Sequence, residues 1–351
     1  IGHTCLGRLA GLLLVLSSLG SAALPARAAD DKVIYGPDDR RDYYTLSAAE
    51  RAVADSTVAV IHTARLRAGA GGATYSAVTG TPGLCASEPF HDQPEAAFCS
   101  GFLVAPDLVA TAGHCVNVST CGTRAFVFGF YMTGPSTPVT DFPAEDVYFC
   151  DEIVGREVNS GPEQGGDGSD WAVVRLDRAV TDRDPLPVRT SAMGAVGLGA
   201  ALTVGGYPMG IPYKASGNAT IQDASEAAFV KANLDTYGGN SGSAVFNSAS
   251  VAAGAPIVEG ILVRGQSDFV QVGFCLVSNQ CANSGCGAPG NLEEVTRASE
   301  IEGVLPLFAT LVLERVVDGG VGGIYDKNGD TVLTLGDALQ YLQLQAGLRD
   351  L

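Results

Sequence analysis

Short apolar runs separated by turn-forming residues dominate the first half of this chain. Residues 102–104, 108–112, 125–132 and 171–176 are such runs, and Gly, Pro and Asp interrupt them. Amphipathic helices would need longer segments with a period near 3.6, whereas runs of this length and spacing are typical of strands in a closed barrel or a sandwich. The pattern predicts an all-β domain.

A second β-rich block follows the first, after a connector at residues 184–187, Asp-Pro-Leu-Pro. Its apolar runs are residues 200–207, 243–246 and 257–263. Residues 292–311 differ, because their apolar positions recur at helical spacing. We expect this last segment to form a closing helix after the strands.

The C-terminal tail has a different pattern. A flexible glycine joint at 319–323 precedes an Asp-rich loop, and an amphipathic helix is predicted over 338–348. The loop offers oxygen donors at the spacing that calcium requires, namely Asp326, Asn328, Asp330, the Val332 carbonyl, Thr334 and Asp337. It resembles an EF-hand loop, and more closely the half-repeat of dockerin modules, although Thr331 replaces the usual turn glycine. An Asp-rich surface turn is the alternative.

A serine lies inside a glycine turn at residues 238–242, Gly-Gly-Asn-Ser-Gly, shortly before an apolar segment. Serine is a weak nucleophile until a base removes its proton and hydrogen-bond donors hold the oxyanion that forms. Glycines let the backbone bend so that the amides of Gly239 and Ser241 point into one small space. Ser241 is the candidate nucleophile, although glycine- and serine-rich turns are common by themselves.

The candidate base is one of four histidines, because a base for serine should titrate near neutrality. His3 falls in a predicted signal segment, and His62 ends an apolar stretch where a core or strand-edge role is expected. His91 falls in a polar loop. His114, in the motif Thr-Ala-Gly-His-Cys, remains, and its neighbour Cys115 offers a way to hold it in position.

The third partner should be a buried carboxylate that orients the imidazole. Asp170 begins the apolar run Asp-Trp-Ala-Val-Val-Arg-Leu after the flexible residues 161–169. Asp167 is the nearby competitor, but glycines flank it and we expect it to be solvated. The sequence therefore favours Asp170.

The motifs TAGHC, DWAVVRL and GGNSGS, in that order, resemble the three catalytic segments of the chymotrypsin-like (trypsin-like) serine peptidases. The resemblance covers about residues 33–305. It implies two antiparallel six-stranded β-barrels with the site in the crevice between them. His114 and Asp170 would come from the first barrel and Ser241 from the second.

Residues 33–40, Val-Ile-Tyr-Gly-Pro-Asp-Asp-Arg, resemble the mature start of bacterial glutamyl endopeptidases in the same superfamily. In trypsin, a new N-terminal ammonium pairs with an aspartate just before the nucleophile. Asn240 holds that position here and carries no charge, so a trypsin-type zymogen switch is not expected. Whether the chain is cut before Val33 stays open.

Two residues bear on the specificity pocket, and they disagree. Asp235, six places before Ser241, matches the acidic pocket residue of trypsin and would favour Arg or Lys in the substrate, with a structural role as the alternative. Segment 260–265 is expected to line the pocket wall, and Leu262 stands there where glutamate-specific enzymes place a histidine. Arg264 would bind a substrate carboxylate or point into solvent. These residues leave the cleavage preference open.

Composition narrows the class of partner. The chain has 351 residues, of which 46% are hydrophobic, and this is enough for a substantial core. Its formal net charge is −17, so we expect neither nucleic acid nor an anionic membrane as a partner, because both would be repelled. No segment is long enough to span a membrane comfortably. The expected partners are protein or peptide substrates.

Residues 1–28 have the pattern of a secretory signal peptide, with an arginine, a short apolar core and a small-residue end. We therefore expect a secreted protein, extracellular or periplasmic. The predicted organisation is a peptidase domain over residues 29–315 and the calcium-loop tail over 316–351.

Cysteine usage agrees with export. Beyond the signal segment, an even number of cysteines predicts four disulfides. The eight cysteines after the signal segment are Cys85, Cys99, Cys115, Cys121, Cys150, Cys275, Cys281 and Cys286. The family resemblance implies the pair Cys99–Cys115, and the other pairings are left open. A zinc site at the last three cysteines is the alternative, but it lacks paired short spacings and histidines.

The leading hypothesis is a secreted serine endopeptidase that needs no cofactor for catalysis. The alternative is a catalytically inactive protease-like binding module, tethered or stabilised through the calcium tail, but the presence of all three catalytic residues counts against it. An esterase of the α/β-hydrolase type does not fit, since no histidine follows Ser241. For the tail, docking to a partner protein and local calcium stabilisation are the two hypotheses.

Overall fold

The computed structural model describes residues 1–2, 33–306, 310–313 and 332–345. The predicted signal peptide therefore lies outside the described residues, apart from its first two. Strands, nearly all of them paired antiparallel, are the predominant regular secondary structure of the described residues, as the sequence predicts.

The first half of the chain closes into a six-stranded antiparallel barrel. Around the barrel, hydrogen-bonded neighbours follow the order Val147–Val158, Asp170–Leu176, Leu108–Thr111, Cys99–Ala105, Thr57–His62 and Arg124–Val127, which pairs back to the first. Their β-branched and aromatic side chains fill the interior, and Val58, Val60 and Phe102 are fully buried there. The prediction of a closed barrel is confirmed.

The second half closes in the same way. Its six strands follow the order Ala201–Gly206, Ala244–Asn247, Val258–Arg264, Glu293–Arg297, Phe229–Ala232 and Lys214–Asp223, which pairs back to the first. A seventh, short strand, Arg41–Asp42, pairs with the outer side of the last. Leu202, Val204 and Leu262 are part of the core of this barrel. Both six-stranded barrels of the predicted fold are therefore present.

Short elements decorate the two barrels. Further strands are Ile34–Tyr35, Leu66–Ala68, Thr74–Ala77, Asp141–Pro143, Phe269–Val272, Cys275–Ser278 and Gln280–Cys281. The α-helices are Ala48–Asp55, Ser248–Ala252 and Leu335–Gln345, and residues 310–313 are also α-helical. The 3-10 helices are Tyr43–Thr45, Thr63–Arg65, Ala70–Gly72, Gly113–Cys115, Cys121–Thr123, Ala144–Asp146, Pro162–Gln164, Ser191–Met193, Pro208–Gly210 and Ala298–Val304.

The predicted closing helix over 292–311 is wrong in its bounds. Glu293–Arg297 is the sixth strand of the second barrel, Ala298–Val304 is a 3-10 helix, and helical geometry resumes at 310–313. Apolar spacing misled here because Leu292 and Val295 are buried by strand pairing, which a local pattern does not reveal. No helix among the described residues is both long enough and apolar enough to cross a membrane.

Four disulfides link the described cysteines, in agreement with the predicted number. Cys99–Cys115 is present, as the family resemblance implied. The remaining pairs are Cys85–Cys275, Cys121–Cys150 and Cys281–Cys286. The zinc alternative is therefore wrong, because all three of its cysteines are oxidised and offer no thiolate.

The two barrels meet along a seam that passes the candidate nucleophile. The connector contacts both barrels, since Leu186 donates its N–H to Leu103 O at 2.8 Å and Pro187 O accepts from Val258 at 2.9 Å. Ser100 of the first barrel donates its N–H to Ser241 O at 2.8 Å. This direct backbone bond holds the Ser241 turn against the first barrel.

Candidate active site

Neighbouring strands of the first barrel bring His114 and Asp170 together. His114 lies in the 3-10 turn Gly113–Cys115, just after the strand Leu108–Thr111, and Asp170 begins the strand paired with it. The Asp170 carboxylate accepts from His114 through both oxygens. Its Oδ2 lies 2.7 Å from Nδ1 of the ring, and its Oδ1 lies 3.1 Å from the backbone nitrogen. The pair of contacts sets both the position and the ring orientation of the histidine.

Asp170 is buried, and its surroundings favour the ionised carboxylate. Burial raises the pKa of Asp170, but the hydrogen bond from His114 and the charges of His114 and Arg264 outweigh it, so the pKa lies below its usual value. The Asp170 backbone N–H donates a hydrogen bond to Oγ1 of Thr296, in the second barrel, at 3.1 Å. The acid is therefore held from both barrels.

The Ser241 turn depends on two glycines with left-handed backbone conformations. Gly239 has φ +94° and Gly242 has φ +89°. A Cβ at Gly239 would lie 2.6 Å from Tyr207 O, and one at Gly242 would lie 2.1 Å from Ser100 O. Any larger residue would therefore be strained and would also clash with backbone. Gly239 O accepts from the Ser100 hydroxyl at 2.8 Å, which fixes the peptide between Gly239 and the next residue.

Ser241 lies beside the His114 segment and beside one strand of its own barrel. Its carbonyl oxygen is 3.7 Å from Sγ of Cys115, the neighbour of His114. Its Oγ is 3.5 Å from Val263 O, near the end of the strand Val258–Arg264. The structure thus places the Ser241 turn beside the segment that carries His114, and His114 in turn contacts Asp170.

The rejected candidates have other partners. His62 stacks on Phe98 with ring centroids 4.1 Å apart, and burial together with the charge of Arg124 lowers its pKa. His91 contacts Glu88 O through Nδ1 at 3.0 Å. Asp167 is exposed and accepts from Ser169 N at 2.9 Å within its own loop. These contacts agree with the surface and structural roles expected for them.

Asp235 faces the N-terminal segment. Its Oδ1 accepts the Tyr35 N–H at 2.7 Å, and its Oδ2 accepts the Asp39 N–H at 3.3 Å. Burial raises the pKa of Asp235 to about 7, although the Tyr35 hydrogen bond lowers it. The backbone of Val33 is held nearby, with Thr236 N donating to Val33 O at 3.2 Å. These contacts favour the structural alternative for Asp235.

Arg264 binds other residues of the protein. Its guanidinium donates to Glu294 Oε2 at 2.8 Å and to Gly168 O at 3.0 Å, and Nη2 lies 3.8 Å from Asp170 Oδ2. Arg264 thus adds positive charge beside the acid of the His114 pair. Leu262 is fully buried in the core of the second barrel, so it does not line a pocket wall.

Sequence reasoning missed three residues near the candidate site. Thr296 binds Asp170, as described above. Glu293 is fully buried and accepts a hydrogen bond at 3.0 Å from Oγ1 of Thr236. Thr236 lies five residues before Ser241. Asp268 Oδ2 accepts from Gly238 N at 2.8 Å. Thr296 and Glu293 belong to the segment predicted as helix, and a strand prediction there would have placed them beside segment 260–265.

The candidate calcium loop lies largely outside the described residues, which exclude Asp326, Asn328 and Asp330. Val332 is exposed. Asp337 is buried, and its Oδ2 accepts from both N and Oγ1 of Thr334 at 2.8 Å. A carboxylate that accepts the backbone N–H of the residue three positions earlier is typical of a helix start. The calcium site stays a prediction.

A group of possible metal ligands also occurs at Cys99, His114 and Cys115, whose donor atoms lie within 4.8 Å of one another. The two sulfurs are bonded to each other in a disulfide, so they do not act as thiolate ligands. His114 alone would be left to bind a metal. The grouping therefore belongs to the positioning of His114.

Part of the chain is similar to known peptidases. Residues 99–254 match the trypsin-like peptidase domain. A glutamyl endopeptidase from Bacillus licheniformis is 28% identical over 163 residues, which cover 43% of this chain and 46% of that protein. The match thus spans less than half of the relative's length.

Two solved structures resemble the chain over part of its course. The VesB protease of Vibrio cholerae has a TM-score of 0.46 at 13% identity, covering 78% of this chain and 66% of that one. A Glu endopeptidase has a TM-score of 0.44 at 15% identity, covering 81% of this chain and 100% of that one. The domain match and the relation to the Bacillus enzyme show that part of this chain is similar to trypsin-like serine peptidases.

Proposed function

We propose that this protein is a secreted serine endopeptidase that hydrolyses peptide bonds through Ser241, His114 and Asp170. The observation that carries the proposal is the double contact of the buried Asp170 carboxylate with His114, at 2.7 and 3.1 Å, beside the glycine turn of Ser241. Asp170 accepts the Nδ1 proton, so Nε2 is the basic nitrogen of the neutral ring.

In the proposed reaction, the Ser241 hydroxyl attacks the substrate carbonyl while His114 Nε2 takes its proton. The negative oxygen of the tetrahedral intermediate is held by the amides of Gly239 and Ser241, worth roughly 3 kcal/mol per donor. His114 then gives the proton to the leaving amine, which departs and leaves an acyl-enzyme. Water then attacks the carbonyl of the acyl-enzyme while His114 takes its proton. His114 returns this proton to Ser241 as the acid product is released.

Activity-based labelling tests this proposal. We expect a fluorophosphonate probe to label the folded parent protein, and Ser241→Ala to remove both the label and the hydrolysis of casein while leaving the circular dichroism spectrum unchanged. A folded parent that takes no label would support the inactive binding module. An alanine variant that digests casein as well as the parent would assign the chemistry to another residue.

Secretion and the calcium tail belong to the same proposal. Four disulfides suit an oxidising compartment, and residues 1–28 have the pattern of an export signal.

The calcium site would stabilise the tail or dock a partner and would take no part in the reaction. Thermal unfolding of the full chain in calcium and in EDTA tests it, and identical midpoints would contradict it.

A further inference from the structure

Arg264 lies in the strand that passes the candidate nucleophile. Val263 O lies 3.5 Å from Ser241 Oγ, and Arg264, the next residue, ends the strand. The Arg264 guanidinium reaches the first barrel, where its Nη2 lies 3.8 Å from Asp170 Oδ2. Two adjacent residues of one strand therefore contact the candidate nucleophile and the candidate acid.

Arg264 also holds the loop that leads to Asp170. Its Nη1 and Nη2 donate to Gly168 O at 3.1 and 3.0 Å. Gly168 has φ +77°, and a Cβ at this position would lie 2.7 Å from Cε1 of Phe229 in the second barrel. Any larger residue would be strained and would meet this ring. The loop of the first barrel is thus held against the second barrel two residues before the acid.

The charge of Arg264 acts on the oxygen that binds His114. Asp170 Oδ2 accepts from Nδ1 of His114 at 2.7 Å, and the same oxygen lies 3.8 Å from Arg264 Nη2. The Asp170 side chain is 5% exposed and that of Arg264 is 29% exposed, so water screens their attraction only in part. Burial raises the pKa of Asp170, whereas the hydrogen bond from His114 and the charges of His114 and Arg264 lower it below its usual value. Arg264 therefore favours the ionised carboxylate that orients the imidazole.

Glu294 sets the direction of the guanidinium. Its Oε2 accepts from Arg264 Nη1 at 2.8 Å, and Arg264 and Glu294 are paired residues of neighbouring strands. On the other side of Glu294, Lys231 Nζ lies 3.7 Å from Oε1. Lys231 shares this acid with Arg264, but within the described part of the chain it pairs with neither Gly168 nor Asp170. Lys231 is therefore the matched control for the loss of one cation beside Glu294.

We propose that Arg264 is a positioning residue of the endopeptidase: it holds residues 168–170 against the second barrel and keeps the Asp170 carboxylate charged and directed at His114. This inference rests on the proposed function. Arg264 acts through Asp170, so its loss should slow the chemical step rather than weaken substrate binding. The assignment differs from both roles that the sequence suggested for Arg264, a contact with a substrate carboxylate and a position in solvent.

Kinetics of Arg264→Gln test the inference. We expect kcat on a peptidyl amide to fall by about 10–100-fold with KM within about threefold of the parent value, since small displacements of a catalytic group cost about that much. The second-order rate constant for labelling by a small fluorophosphonate should fall by a similar factor. Lys231→Gln should keep both values within about twofold, because partly exposed ion pairs contribute little. An unchanged kcat, or a raised KM alone, in Arg264→Gln overturns the inference.

A double-mutant cycle tests whether Arg264 acts through the acid. In the Asp170→Asn background, Arg264→Gln should slow fluorophosphonate labelling by less than about twofold, because the carboxylate that Arg264 positions is already absent. A loss as large in this background as in the parent would assign Arg264 a role independent of Asp170 and would overturn the inference.

Arg264→Lys keeps the inference testable if Arg264→Gln does not fold. Lysine retains the charge but lacks the planar fork, so it cannot bind Glu294 and Gly168 O together in the same geometry. Its kcat should fall by at least about threefold with KM unchanged. A kcat equal to that of the parent overturns the inference.

The parent protein separates this inference from the proposed function. If the folded parent takes no fluorophosphonate and cleaves no peptide, the endopeptidase function itself fails. If the parent takes the label and cleaves, and the Arg264 variants match it, only the positioning role of Arg264 fails.

Discussion

Asp235 accepts the backbone N–H of Tyr35 at 2.7 Å, so a carboxylate just before the nucleophile turn is tied to a segment 200 residues away. The bond holds the chain after Val33 against the second barrel. This contact favours a structural role for Asp235, although its position in the sequence matches the acidic pocket residue of trypsin.

Stability should depend on pH through Asp235. Burial raises its pKa to about 7, against about 3.9 in an unfolded chain, so its favourable contribution is complete below pH 4 and is lost as pH rises towards 7. Asp235→Asn cannot ionise. We expect the free energy of unfolding of this variant, relative to the parent, to increase by roughly 2–4 kcal/mol between pH 4 and pH 8.

Urea denaturation at the two pH values measures this difference. Asp223→Asn is the control, because Asp223 is near the surface and its hydrogen bonds with Ser225 lower its pKa. That variant should show no gain with rising pH. A constant difference for Asp235→Asn would show that Asp235 titrates as an ordinary carboxyl group.

The Asp170 contact predicts a large catalytic effect with little effect on folding. Asp170→Asn retains the shape of the side chain but favours the wrong tautomer of His114, so kcat should fall by about 10³–10⁴. Steady-state kinetics on a peptide substrate measure it. Asp167→Asn, three residues earlier on an exposed loop, should keep kcat within about threefold. A similar loss in both variants would argue against a special role for Asp170.

The glycine at 239 should tolerate no side chain. Its φ of +94° strains any other residue, and a Cβ there would approach Tyr207 O to 2.6 Å, so strain and a clash act together. Gly239→Ala should therefore displace the oxyanion amides and lower kcat by about 10²–10³. Gly254→Ala is the matched control, since Gly254 has φ +72° but open space around it. Kinetics of the two variants separate backbone strain from damage to the site.

The disulfide beside His114 should stabilise the protein more than the shortest one. Cys99 and Cys115 are 16 residues apart, and opening a loop of that size costs about 3 kcal/mol on the chain-entropy account. The double alanine variant should lose about that much unfolding free energy and most of its activity. Cys281 and Cys286 are only 5 residues apart, so their removal should cost less. The reverse order in urea denaturation would contradict this reasoning.

Local patterns predicted an all-β chain, and the resemblance of three short motifs to a known family implied the two barrels and gave the three candidate residues of the reaction. Strand runs such as Asp170–Leu176 carry their own signal, because a short continuous apolar run with β-branched residues is visible within seven positions. His114, Asp170 and Ser241 each lie in a short motif whose neighbours restrict the backbone, as the positive φ of Gly239 and Gly242 illustrates. The order of the three motifs along the chain then matched the order of the catalytic segments in the family that they resemble.

Only the tertiary structure decided what surrounds them. Asp235 and Glu293 are both acidic and both buried, yet the first binds the N-terminal segment and the second lies against Gly265. Strand pairing across tens of residues determines which carboxylate faces which space, and no local period encodes such pairing. The same long-range pairing made a strand of Glu293–Arg297, where the local pattern predicted a helix.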